Sequence, residues 1–125
     1  MERVLVVDDD RGVKRGVSMM LRHEGYQVDE ASDGQEALDL LSRVVYNLVI
    51  TDLYMPRLGG IELLSWVRAH APNTQCLVMT SHPDSDVMLR ARKLTRGNVL
   101  SKPFSLAAME TAIKHLLMGS DDLLN

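Results

Sequence analysis

A single cysteine, Cys76, sits inside an apolar run with no second cysteine to pair with. A disulfide framework is therefore excluded, and a reducing compartment is expected. No His or Cys pair has the spacing of a zinc site, which removes that means of stapling a small fold. Basic residues are not in excess: 14 Lys and Arg stand against 17 Asp and Glu, for a formal net charge of -3. A nucleic-acid-binding surface needs a concentrated basic face, so no nucleic-acid partner is expected within this chain. Also missing are an apolar run of about 18 residues, as a membrane helix requires, and a charged-then-apolar leader. Neither membrane insertion nor secretion is expected, and the sequence reads as a soluble cytoplasmic domain.

What is present is a regular exchange of strand and helix periods. With 125 residues the chain has room for one domain and no second. Val4 to Val7 is a continuous apolar run that ends in Asp8-Asp9-Asp10, followed by a helical pattern carrying Val13, Val17, Met20 and Leu21 up to Gly25. Tyr26 to Ala31 alternates as an edge strand would, and Asp33-Gly34 opens a helix with Ala37, Leu38 and Leu41. Leu48-Val49-Ile50 is short, β-branched and stops at Asp52, before Pro56 turns the chain. A helix over about Gly60 to His70, an apolar run Cys76 to Met79 ending at Thr80-Ser81, and a weaker helix over Asp84 to Leu94 follow. A short strand at about Asn98 to Leu100 leads to Ser101-Lys102-Pro103 and a last helix with Leu106, Met109, Ile113, Leu116 and Leu117 on one stripe.

Five strands alternating with five helices predict a doubly wound parallel α/β sheet with helices on both faces. The polar second strand and the short fifth belong at the edges, which gives the flavodoxin-like order 2-1-3-4-5. This order brings Asp8, Asp9 and Asp52 to one crevice at the carboxyl ends of the strands. Three carboxylates there repel unless a cation or protons compensate; a divalent metal is the economical answer, and hard oxygen ligands select Mg2+. Thr80 adds a hydroxyl donor and Lys102 a compact cation. A metal, a lysine, a hydrogen-bond donor and a nucleophile are the parts that phosphoryl transfer asks for, and a carboxylate can be that nucleophile, giving an acyl phosphate.

Over essentially its whole length the chain resembles the receiver domains of two-component response regulators. The marks are Val6-Val7-Asp8-Asp9-Asp10, Asp33-Gly34, Asp52-Leu53-Tyr54-Met55-Pro56 with Gly60, Thr80-Ser81 and Lys102-Pro103-Phe104. The resemblance implies that Asp52 accepts a phosphoryl group from a phosphohistidine on a sensor histidine kinase or phosphotransfer protein. It further implies that Asp9 ligates Mg2+ directly, that Asp8 does so mainly through water, and that Asp52 and the backbone carbonyl of Tyr54 complete the protein's share. Thr80 would hydrogen-bond a phosphoryl oxygen, Lys102 would pair with its charge, and the bond from Lys102 to Pro103 would be cis. The partners implied downstream are an output domain or protein, or a second copy, met through the surface of helix four, strand five and helix five. Such a domain is a phosphoacceptor that assists its own reactions rather than an enzyme. Its boundaries would be 1–118, with 119–125 a C-terminal tail or the start of a linker.

Several positions depart from the family pattern. Val99 replaces the usual aromatic switch residue three positions before Lys102, Thr95-Arg96-Gly97 replaces a commoner Gly-Ala, and Gly59 stands where an acidic or hydroxyl helix cap is usual. Tyr54 and His82, two residues beyond Asp52 and Thr80, occupy variable positions where bulk implies a longer-lived phosphorylated state. Asp10 reads as a helix cap rather than a ligand, and the four histidines as surface residues. Two other functions compete. A non-phosphorylated interaction module of the same fold is disfavoured by the complete set of acid pair, acceptor, threonine and lysine. An aspartate-based phosphatase would need Thr or Val at position 12, which is Gly12, and a cap domain for which the length leaves no room.

Overall fold

The computed structural model describes residues 2–82 and 86–124, residues 119–124 as backbone only. Five strands, β1 (Arg3–Val7), β2 (Gln27–Ala31), β3 (Leu48–Asp52), β4 (Gln75–Thr80) and β5 (Val99–Ser101), alternate with five helices. The helices are α1 (Arg11–His23), α2 (Gly34–Leu41), α3 (Gly60–His70), α4 (Asp86–Thr95) and α5 (Leu106–Leu124). All strand pairs are parallel, in the order β2-β1-β3-β4-β5. The expected doubly wound topology is therefore the observed one.

The apolar runs are continuous because β1, β3 and β4 are covered on both faces. Leu5, Val7, Val49, Cys76 and Val78 face a layer that includes Ala37, Leu64, Val67 and Ala91 of α2, α3 and α4. Val4, Val6, Leu48, Ile50, Leu77 and Met79 face the layer of Val17, Leu21, Met109 and Ile113 from α1 and α5. Full burial of each such Val or Leu contributes on the order of 2 kcal/mol. Cys76 is buried and free, and burial pushes its thiol up to about 12, which leaves it a packing residue without reactivity at neutral pH.

Register aligns the strand ends. Val7 pairs with Thr51, so the next residues, Asp8 and Asp52, emerge side by side. Asp52 pairs with Met79 and Thr80 with Ser101, which brings Thr80 and Lys102 to the same end. Asp10 caps α1, accepting from the N–H groups of Gly12 (2.9 Å) and Val13 (3.2 Å), as its position predicts. Gly25, at φ 97°, turns the chain out of α1 into β2.

Local differences from the sequence reading are small and have physical causes. β2 is half-buried along most of its length rather than cleanly alternating, because α1 lies along it. β5 is one residue later than expected, since its pairing to Val78, Met79 and Thr80 sets its limits rather than its own composition. The expected start of α4 at Asp84 lies outside the described residues; its end extends to Thr95, whose hydroxyl donates to the Ala91 carbonyl at 2.8 Å. α5 continues past Met118 to Leu124. Leu106, expected on the core stripe of α5, is 51% exposed at the first position of the helix, and the buried stripe begins at Met109. Among the described residues no helix is long and apolar enough to cross a membrane.

Candidate functional site

The site lies where three buried strands end and their apolar runs give way to polar residues that are themselves buried. Asp8 is fully buried, Asp52 nearly so, and Asp9 is exposed beside them. One carboxylate oxygen from each of these three can be chosen so that all lie within 4.8 Å of one another. Lys102, delivered by β5, donates to Asp8 Oδ2 at 2.7 Å and to Asp52 Oδ2 at 3.2 Å. The other Asp52 oxygen, Oδ1, accepts from the backbone N–H of Leu53 at 2.7 Å and lies 3.5 Å from that of Tyr54. The Asp8 Oδ1 atom accepts from the Asp10 N–H at 2.9 Å, which shapes the turn into α1.

Electrostatics follow from this packing. Burial raises the Asp8 carboxyl above its ordinary value, against the hydrogen bond from Lys102 and that from the Asp10 backbone. Burial alone would lower the Lys102 ammonium; its contact with Asp8, and then with Asp52, outweighs this and raises it. Lysine thus stays charged, and one ammonium faces three carboxylates. Oxygen donors alone, with negative charge in excess, fit a hard divalent cation such as Mg2+ and do not fit zinc, which favours N and S ligands.

Thr80, the last residue of β4, is buried, and its hydroxyl oxygen accepts from the His82 N–H at 3.0 Å. The Thr80 carbonyl accepts from the Lys102 N–H at 2.7 Å, so β4 and β5 are still joined at the residue that carries the ammonium. The Lys102–Pro103 bond is cis. Tyr54 is 43% exposed at the rim and stands edge-on to His82, with ring centroids 5.4 Å apart. Beside Lys102 an open, mainly apolar groove of about 510 Å³ runs between α1 and the start of α5, lined among others by Val13, Gly16, Phe104 and the exposed Leu106.

Of the residues singled out from sequence, Asp8, Asp9, Asp52 and Lys102 converge directly. Thr80 lies at the same sheet end but, among the described residues, makes no hydrogen bond to Asp52. Tyr54 reaches the site by its backbone N–H and by its place at the rim. The closeness of Lys102 to Asp8, rather than to Asp52 alone, was not in the sequence reading, because the flexible lysine stem leaves its partner open. Also unread was the pairing of Arg57 with Asp33 at 2.8 and 3.0 Å, which joins the loop after β3 to the start of α2. Opposite charges 24 residues apart give no local signal. Asp33, read from sequence only as part of the turn that opens α2, is its cap and accepts from the Glu36 N–H at 2.8 Å; Gly59 starts α3 with no side-chain cap, as expected.

Comparison with known proteins gives a consistent result. The family profile described as response regulator receiver domain matches residues 4–114. Sporulation initiation phosphotransferase F of Bacillus subtilis is 29% identical over 116 residues, covering 93% of this chain and 94% of that protein. Response regulator MprA of Mycolicibacterium vanbaalenii is 35% identical over 115 residues, covering 92% of this chain and 50% of MprA, so the chain spans about half the length of that relative. Among solved structures, response regulator TrrA of Thermotoga maritima in complex with Mg2+-BeF is 31% identical with a TM-score of 0.82, covering 94% of this chain and 100% of that one.

Proposed function

The chain belongs to the response regulator receiver domain family of two-component systems, and from that premise we propose that Asp52 accepts a phosphoryl group from a phosphohistidine of a sensor histidine kinase or phosphotransfer protein. The observation that carries this reading is the state of the Asp52 carboxylate. One oxygen is fixed by the Leu53 N–H, while the other faces the Lys102 ammonium within a cluster of three acids.

In the transfer, an Asp52 oxygen forms the new O–P bond as the P–N bond of the donor breaks, and the imidazole leaves with the bonding pair and takes up a proton. Lys102 already contacts the reacting carboxylate, and it needs little movement to meet the transferred phosphoryl oxygens. The Thr80 hydroxyl accepts from the His82 N–H, which leaves its own proton available for a phosphoryl oxygen. Asp8, Asp9, Asp52 and the Tyr54 carbonyl would hold Mg2+, which when bound supplies positive charge against the phosphoryl oxygens.

Phosphorylation then biases an existing two-state equilibrium through the new contacts of Thr80 and Lys102. The response emerges at α4, β5 and α5, where an output domain, an output protein or a second copy of the chain would bind. Val99, half-buried against the α2–α4 layer, gives that surface no aromatic rotamer to switch. We take 1–118 as the receiver unit, with 119–125 leading to a tail or linker, and the cytoplasm as its location.

The test is the intact mass after incubation with acetyl phosphate and Mg2+, beside an Asp52→Asn variant and a chelator control. A single phosphoryl adduct that disappears in both controls is expected. An adduct that persists in Asp52→Asn would reject Asp52 as the acceptor.

A further inference from the structure

The loop between β3 and α3, residues 53–59, carries Tyr54 and is fastened at three places. The Gly60 N–H donates to the Leu53 carbonyl at 3.0 Å, and the Gly34 N–H donates to the Leu58 carbonyl at 3.2 Å. At the third, Arg57 Nε donates to Asp33 Oδ2 at 2.8 Å and Nη2 to Asp33 Oδ1 at 3.0 Å. Such two-point pairing fixes direction as well as distance.

Arg57 has φ 68°, in the left-handed region that glycine enters without cost and an L side chain enters at one. Its side chain is 62% exposed, so burial of the stem does not account for an arginine in this conformation. What the side chain gains is Asp33, a residue only 13% exposed that also caps α2 through the Glu36 N–H. The Arg57 hydrogen bond holds the Asp33 carboxyl below the usual carboxylate range, so the pair is fully charged at neutral pH. The start of α2 and the loop after the acceptor strand are thereby one piece.

We propose that Arg57 is a positioning residue: its clamp on Asp33 orders the Tyr54-bearing loop in advance, so that cation binding at the carboxylate cluster does not have to order it. The inference rests on the metal-dependent phosphoacceptor reading, in which that loop supplies the Tyr54 carbonyl. Preordering strengthens binding because the conformational entropy is lost in folding rather than in binding.

Two measurements test it: Mg2+ affinity by titration calorimetry, and amide hydrogen exchange of residues 54–59 without metal. Arg57→Ala and Asp33→Asn each remove the ion pair, and Asn still caps α2. For an exposed pair each should weaken Mg2+ binding about two- to fivefold, with faster exchange in the loop. The double variant should be no weaker than either single, because both remove one contact. Arg57→Lys should recover part of the loss, and Arg57→Gly none of it, although glycine relieves the backbone. Unchanged affinity and exchange in Arg57→Ala, or wild-type affinity in Arg57→Gly, would overturn the clamp. Wild-type protein that takes up no Mg2+ would instead reject the reading beneath it, while the exchange rates would still report whether the clamp orders the loop.

Discussion

At the scale of single residues, Tyr54 and His82 stand where bulk would bear on how long an acyl phosphate on Asp52 lasts. Their rings meet edge-to-face at the rim, one from the loop after β3 and one from the loop after β4. Hydrolysis of an acyl phosphate on Asp52 needs a water to approach that same rim, and two rings in contact narrow the path. Tyr54→Ala and His82→Ala should therefore each shorten the lifetime of the phosphorylated protein, by roughly two- to tenfold if the rings hinder the water by about 0.4–1.4 kcal/mol. The check is decay of the phosphoryl adduct after the phosphodonor is removed. Lifetimes unchanged in both variants would mean that the rings do not obstruct the water.

At the scale of elements, the junction of β3 with α3 depends on a residue without a side chain. A Cβ on Gly60 would lie 2.6 Å from the Asp52 carbonyl oxygen and 2.8 Å from the Leu53 Cα, both backbone atoms that cannot swing aside. Gly60→Ala should push α3 away from the acceptor strand and destabilise the fold by about 1–3 kcal/mol, measurable as a lower urea midpoint at unchanged slope. An alanine variant as stable as the wild type would show that the junction has slack. The chain announces such features unevenly. The apolar runs leading to Asp8, Asp52 and Thr80 were legible because burial on both faces forces a continuous run, and the change to polar residues marks the strand end. Asp10 was legible as a cap, and Asp33-Gly34 as the turn that opens α2, because both are local patterns. The limits of β5, the exposure of Leu106 and the left-handed turn at Arg57 were not, because tertiary neighbours decide each. That Lys102 meets both Asp8 and Asp52 was closed to the sequence for a similar reason: a long stem has wide reach, and only packed distances fix its partners.

For the molecule as a whole, the carboxylate cluster is a fault in an otherwise well-covered fold that a ligand can repair. Asp8 is fully buried, Asp52 nearly so, and one lysine leaves negative charge uncompensated at the top of the sheet. A cation that binds the folded chain there and not the unfolded chain must raise stability by mass action. With half-saturation on the order of 1 mM, 10 mM Mg2+ would add about 1.4 kcal/mol, or roughly 3–6 °C in the melting temperature of a domain this size. Screening alone also relieves repulsion, so the control is NaCl at the same ionic strength, about 30 mM, which should do much less because a buried cluster is poorly screened. Asp9→Asn, which alters an exposed member of the cluster, should reduce the Mg2+ increment. Asp10→Asn should leave it intact, since asparagine still caps α1 and position 10 lies outside the cluster. Equal increments from Mg2+ and NaCl would assign the effect to screening and remove the cation site from the account of this fold.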